Sequence, residues 1–227
     1  MAERDAQKDD GAEGLPRLPP GRHGLAREFV VKNQRDRLTA GIIAVVAEHG
    51  YHDATVAQVC TAAGVSRRTF YSYFSSKEEC YAQAFDLIGE YLTEALSAAG
   101  SDGDSWPGRV RARLEAMLAV FAANPDLVRF TLIAPLRAGG EIAERQGLAL
   151  ERILAALTAG IPDGKDAARP SPAIEQAVMG GMAGVMTRKV EAGEGERLPE
   201  LLPDLVELFL IPYIGRDAAV EVAHSAS

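Results

Sequence analysis

The sequence predicts an all-α protein of about nine helices, with a small N-terminal unit joined to a larger helical one. Three observations predict it. Apolar residues recur at spacings of three and four from Leu38 to Phe209. No segment alternates convincingly with a period of two. Glycine and proline cluster at Gly100–Gly108, Gly139–Gly140, Gly160–Pro172 and Gly193–Pro199, where helices must stop.

Residues 1–26 carry the proline run Leu15–Pro20 and several glycines without a hydrophobic period, which predicts a mobile arm. Leu38, Ile42, Val45 and Val46 predict a first helix over about Arg27–His49, ended by Gly50. Thr55 reads as an N-cap and Gln58, three residues on, completes a capping box. A second helix, Val56–Ala63, follows and Gly64 stops it. Ser66 caps a third helix, Arg67–Phe74. Ser75 or Ser76 caps a fourth, with Glu78 or Glu79 at the matching third position.

Further on, Tyr81, Phe85, Ile88, Leu92 and Leu96 form one stripe, and Val110, Leu114, Met117, Leu118 and Phe121 the next. Leu127, Phe130 and Ile133 follow Pro125, and Ile142, Leu150, Ile153, Leu154 and Leu157 form another. Ile174, Val178, Gly181, Met182, Val185 and Met186 make a long stripe, and Leu201, Leu202, Leu205, Leu208 and Phe209 the last. The expected organisation is an arm over 1–26, a helix-turn-helix unit over 27–76, a helical unit over 77–217 and a tail over 218–227.

The net charge is −8, yet it is unevenly spread. Residues 14–77 hold nine Lys/Arg against four Asp/Glu, whereas residues 78–227 hold thirteen against twenty-three. Only the field at a docking face must be positive for an anionic partner, so an acidic chain is compatible with nucleic-acid binding. The charge-free stretches near Val178–Thr187 and Leu208–Gly215 fall short of the roughly 20 apolar residues that cross a bilayer. No apolar core follows a basic start, so neither a secretory signal nor a membrane partner is expected. Two cysteines, Cys60 and Cys80, sit on apolar stripes and fit small buried hydrophobes in a reducing cytoplasm.

Thr55–Phe74 has the layout of two short helices joined by a tight turn. Phe70 and Phe74 are four apart and share one face, leaving Arg67, Arg68, Thr69, Tyr71 and Ser72 mainly to the others. A guanidinium matches the two major-groove acceptors of guanine, and threonine offers a methyl and a hydroxyl to a base edge. Tyr71 and Lys77 suit phosphate oxygens, as do the backbone N–H groups at helix starts capped by Thr55 and Ser76. The same spacing also fits an αα-hairpin with a solvated polar face. Arg17, Arg22, His23 and Arg27 precede the first helix; a flexible arm of this kind can enter a narrow minor groove or serve as a solvated linker.

The segment TVAQVCTAAGVSRRTFYSYFSSKEECYAQAF, with RDRLTAGIIAVVAEHGY before it, resembles the DNA-binding domain of the TetR family over about residues 33–85. The resemblance lies in the capped second helix, the AAGVS turn, the TFYSYF helix and the SSKEE opening of the fourth helix. It implies base contacts from Arg67, Arg68, Thr69 and Ser72 and phosphate contacts from Thr55, Tyr71, Tyr73 and Lys77. It implies a homodimer on duplex DNA, formed by the last two long helices at about 173–191 and 199–213, with repression as the usual mode. A dimer that places two reading helices about one turn of DNA apart needs a palindromic operator. Gly180, Gly181 and Gly184 would let two helices approach closely, and the alternative is that these stripes are ordinary monomer core. The resemblance further implies a small-molecule effector among the central helices, for which Tyr91, Trp106, Met117, Phe121, Phe130 and Met182 are candidates, or else ordinary core.

No cofactor, metal or enzymatic activity is expected. His23, His49, His52 and His224 stand in no metal-binding spacing, and no nucleophile elbow, phosphate loop or dinucleotide fingerprint appears.

Overall fold

The computed structural model of the chain describes residues 34–100, 105–138, 140–162 and 169–225. The expected arm, with Arg17, Arg22, His23 and Arg27, and the expected first turns before Gln34 lie outside these residues. The described residues form ten helices and no strand: α1 (Gln34–His49), α2 (Val56–Ala63), α3 (Arg67–Tyr73), α4 (Lys77–Ala98), α5 (Trp106–Ala123), α6 (Asp126–Ala138), α7 (Gly140–Thr158), α8 (Pro172–Glu191), α9 (Leu202–Ile214) and α10 (Arg216–Ala223). A 3-10 turn, Gly195–Leu201, leads into α9. No single helix among them is long and apolar enough to cross a membrane.

The N-terminal unit is built on α1, which buries Leu38, Ile42, Ile43, Val45 and Val46. Gly41 lets α2 lie close, because a Cβ there would sit 3.0 Å from the Val59 carbonyl oxygen. The capping box forms: the Thr55 hydroxyl accepts from the Gln58 N–H, and the Gln58 side chain accepts from the Thr55 N–H at 2.8 Å. Gly64 closes α2 in the left-handed region, φ 61° and ψ 40°, and Arg37 donates to its carbonyl oxygen at 3.2 Å. At the start of α4 both serines act. The Ser76 hydroxyl accepts from the Glu79 N–H, and the Glu79 carboxylate accepts from the Ser75 N–H and hydroxyl.

α4 leaves the N-terminal unit and delivers Tyr81, Phe85, Ile88, Leu92 and Leu96 into the core of the larger one. There it packs against α5 and α7. α5 and α6 meet at a bend of 103°. Three α5 side chains satisfy the carbonyls that the end of α7 leaves open. Trp106 Nε1 donates to Leu157, Arg113 to Ala156 and Ala159, and Arg109 to Gly160. Within α6, Arg129–Ile133 winds as a π-helix, a rare insertion that spoils the regular pairing of backbone carbonyls.

Two expectations change. The buried face of α8 is Met179, Met182, Met186 and Val190, while Ile174 is 46% exposed, Gly180 and Gly184 face open space, and a Cβ at Gly181 would touch Leu208. The stripe read from Ile174 to Val185 mixed two faces, because α8 is apolar nearly all round and its period is weak. The expected tail from 218 is instead part of α10, which buries Ala219 and Ala223 against α9. Small residues alone carry that face, so its periodicity is faint in the sequence.

Two outcomes follow from this packing. Gly64→Ala forces a side chain into the left-handed region and against the Arg37 guanidinium; urea unfolding will show a loss of about 1–2 kcal/mol. Cys60 and Cys80 are buried and unpaired, and burial pushes the Cys80 thiol up to about 12. A thiol reagent at pH 8 will titrate neither cysteine in the native chain and both in denaturant.

Candidate nucleic-acid interface and ligand cavity

α3 is fixed from the inside. Phe70 and Phe74 are 0% and 1% exposed, with ring centroids 5.6 Å apart, and they turn one face of α3 into the core of α1 and α2. Arg68 is exposed on the side away from the two rings and Arg67 is exposed at the open first turn of the helix, neither with a hydrogen-bond or ion-pair partner among the described residues. Tyr71 and Tyr73 are also outside, at 57% and 38% exposure, which is high for aromatic rings. The two hydroxyls are more occupied. Thr69 Oγ1 lies 2.9 Å from the cap oxygen of Ser66, and Ser72 Oγ donates to the Thr69 carbonyl at 2.6 Å. The Thr69 methyl and the Ser72 lone pairs are not used in these bonds.

Thr55 spends its hydroxyl proton on Gln58 Oε1 at 2.6 Å, so the free donors at this corner are the first backbone N–H groups of α2. Lys77 is anchored rather than free. Its Nζ donates to the Tyr51 carbonyl at 2.7 Å and sits 4.4 Å above the Tyr51 ring. An ammonium has three donors, so two remain for solvent or a phosphate.

Lys77 also begins a packed route inward. Tyr51 is pushed up to about 12 by burial and by the Glu78 carboxylate 3.3 Å from its hydroxyl. Its ring meets Tyr81 edge-on at 5.0 Å. The Tyr81 hydroxyl donates to the Phe130 carbonyl in the π-helix at 2.8 Å. On the far side of that π-helix, Gln146 Nε2 donates to the Thr131 and Leu132 carbonyls, both at 3.1 Å. The irregular turn is thus held by a tyrosine facing the N-terminal unit and a glutamine facing the core.

Beyond Gln146 lies a cavity of about 60 Å³ between α4, α5, α6, α7 and α8. Met117, Phe121 and Met182, three of the residues proposed from sequence, line it. Tyr91, Trp106 and Phe130 do not. Trp106 is spent on the end of α7 and stands edge-on to Tyr213, while Phe130 is packed against Tyr81 and Phe85. Tyr91 is half-buried on α4, away from the lining. Phe85, Thr131, Gln146, Met179 and Met186 line the cavity but were not picked out from sequence. The readable signal was Gln146 itself, a lone polar residue four after Ile142 and four before Leu150 on an apolar stripe.

Comparison with known proteins places these features. Residues 38–84 match the family model described as bacterial regulatory proteins, tetR family. No curated protein sequence matches the chain. Among solved structures, the fatty acid degradation regulator FadR from Bacillus halodurans aligns with a TM-score of 0.68 at 21% identity, covering 80% of this chain and 96% of its own. FadR from Bacillus subtilis, solved in complex with stearoyl-CoA, aligns with a TM-score of 0.58 at 17% identity, covering 79% and 97%. A transcriptional regulator from Rhodococcus sp. Rha1 aligns with a TM-score of 0.56 at 25% identity, covering 78% and 96%. The matched segment, residues 38–84, spans the capped helix-turn-helix with Arg67 and Arg68 and is similar to the DNA-binding domain of tetR-family regulatory proteins, and the fold of these solved regulators is shared over most of the chain.

Proposed function

We propose that this regulator is a ligand-responsive repressor that binds a palindromic operator as a homodimer in the cytoplasm. The observation that carries the reading is the outward, unpartnered pair Arg67 and Arg68 on a helix anchored by Phe70 and Phe74. In this reading Arg67, Arg68, Thr69 and Ser72 meet base edges. Tyr71, Tyr73, Lys77 and the backbone beside Thr55 meet phosphates. Arg17, Arg22 and Arg27 on the arm reach the adjacent minor groove.

The partner surface is the outer face of α8 and α9. Ile174, Gly180, Gly184 and Ile211 are exposed there on the single chain. A Cβ at Gly180 or Gly184 would meet nothing within 4 Å, so the space beside these glycines is open for a second helix. The effector is an apolar or amphipathic molecule that enters the cavity and changes the spacing of the reading heads through α4 and α6. A ligand moves that equilibrium only by its differential affinity for the two states. The cavity is smaller than the few hundred Å³ typical of a ligand site, so it must open. Four methionines in its wall, Met117, Met179, Met182 and Met186, are flexible enough to allow this. The stearoyl-CoA held by the Bacillus subtilis relative is a molecule of the amphipathic kind.

Selection of DNA fragments by the purified chain will return a palindrome. Against that operator, Arg67→Ala or Arg68→Ala will weaken binding by about 1–3 kcal/mol and relax the preference at one base pair per half-site. Lys77→Ala will weaken all sequences alike and reduce the salt dependence. Unchanged operator affinity in both arginine variants contradicts the reading. Gly180→Arg will leave the protomer folded and shift sedimentation toward the monomer; a variant that stays dimeric removes α8 from the interface.

A further inference from the structure

The polar atoms of the cavity wall have a common polarity. Three polar uncharged side chains line it: Thr93, Thr131 and Gln146. Each spends its donors on backbone. Thr93 Oγ1 donates to the Gly89 carbonyl at 2.8 Å and Thr131 Oγ1 to the Leu127 carbonyl at 2.7 Å. Gln146 is 8% exposed, and its amide nitrogen donates both protons, to Thr131 and Leu132. These two carbonyls fix which end of the amide is nitrogen. Gln146 itself lines the cavity, and its Oε1 accepts no hydrogen bond from the described residues. Apart from Arg152, the polar side chains of the wall therefore offer lone pairs and no protons, inside a lining that is otherwise apolar. The one charged residue in the lining, Arg152, is exposed to solvent.

We infer that the effector is an uncharged apolar molecule carrying a hydrogen-bond donor, a hydroxyl or an N–H, and that Gln146 Oε1 is the acceptor that selects it. This deepens the ligand-responsive reading above and rests on it. An acceptor that a bound ligand shuts away from water without a partner is costly, so the site discriminates against an isostere that lacks the proton. A donor on Oε1 also polarises the amide and strengthens its two bonds to the π-helix, which an apolar filler of the same volume does not do. The ligand's polar end thereby reports to the element that Tyr81 holds from the other side.

The test uses the full-length chain and two isomers with the same atoms, 1-octanol and heptyl methyl ether, of which only the alcohol has a donor. Octanoate is the third ligand. In calorimetric titration the alcohol will bind about tenfold more tightly than the ether. In Gln146→Leu that preference will fall to within about twofold. Should Gln146→Leu fail to fold, the isomer pair on the unaltered chain decides, and Thr131→Val, which keeps the Gln146 clamp, will retain most of the preference. Equal or tighter binding of the ether overturns the inference. So does octanoate binding at least tenfold tighter than octanol with steep salt dependence, which moves recognition to Arg152. Absence of binding by all three overturns the cavity as the effector site. Operator binding by the same preparation without ligand is measured alongside, and its loss, not the ligand result, is what counts against the DNA-binding reading.

Discussion

The burial of Phe70 and Phe74 is the constraint on which the rest of the site depends. A seven-residue helix has almost no stability of its own, and α3 is held by what its inner face buries. Fully burying a phenylalanine contributes about 1.5–3 kcal/mol, far more than any exposed polar contact on the same helix. The two rings, four residues apart, set the rotation of α3 about its axis. Everything outward follows from that rotation: two guanidiniums, two tyrosines and the partly occupied hydroxyls of Thr69 and Ser72. The surrounding caps serve the same end. Thr55 with Gln58, Gly64 in the left-handed region, Ser66 and Ser76 fix where each short helix starts and stops. The angle between reading helix and scaffold is thus set by backbone chemistry rather than by loose loops.

The same residues that hold the reading unit connect it to the core. Lys77 rests on Tyr51, Tyr51 on Tyr81, and Tyr81 on the π-helix carbonyl of Phe130. A second bridge runs from His52 Nε2, 3.0 Å from the Arg137 carbonyl at the end of α6. Both bridges land on α6, whose irregular turn is the element that the cavity wall clamps through Gln146. π-helical turns of this kind recur at functional sites because their unpaired carbonyls need side-chain partners, and those partners can change. The physical basis for coupling here is a chain of direct contacts between the cavity wall and Lys77.

Much of the N-terminal unit was legible because its determinants are local. Caps, a left-handed glycine and a pair of aromatics at i and i+4 act within a few residues, and each appears where the sequence places it. The cavity was less legible. An apolar stripe names the residues that are buried but not the side of them that faces a void. Trp106 and Phe130 are as buried as Met117 and Phe121, yet one caps α7 and the other packs against Tyr81. The distinction depends on contacts some 50 residues apart in sequence, such as Trp106 with Leu157 and Tyr81 with Phe130. Likewise α8 is apolar on both sides, so its inner and outer faces separate only once Met179 and Val190 are seen to point inward. α10 escaped notice because alanines at 219 and 223 carry its buried face.

The most direct test of the central claim, that α3 turns its arginines into the major groove, is methylation protection of guanine N7 on the selected operator. Guanines in each half-site, about one helical turn apart, will be protected by the unaltered protein, and that protection will weaken in Arg67→Ala or Arg68→Ala. Tight, specific binding that leaves every guanine N7 open, or protection indifferent to both arginines, would contradict the account.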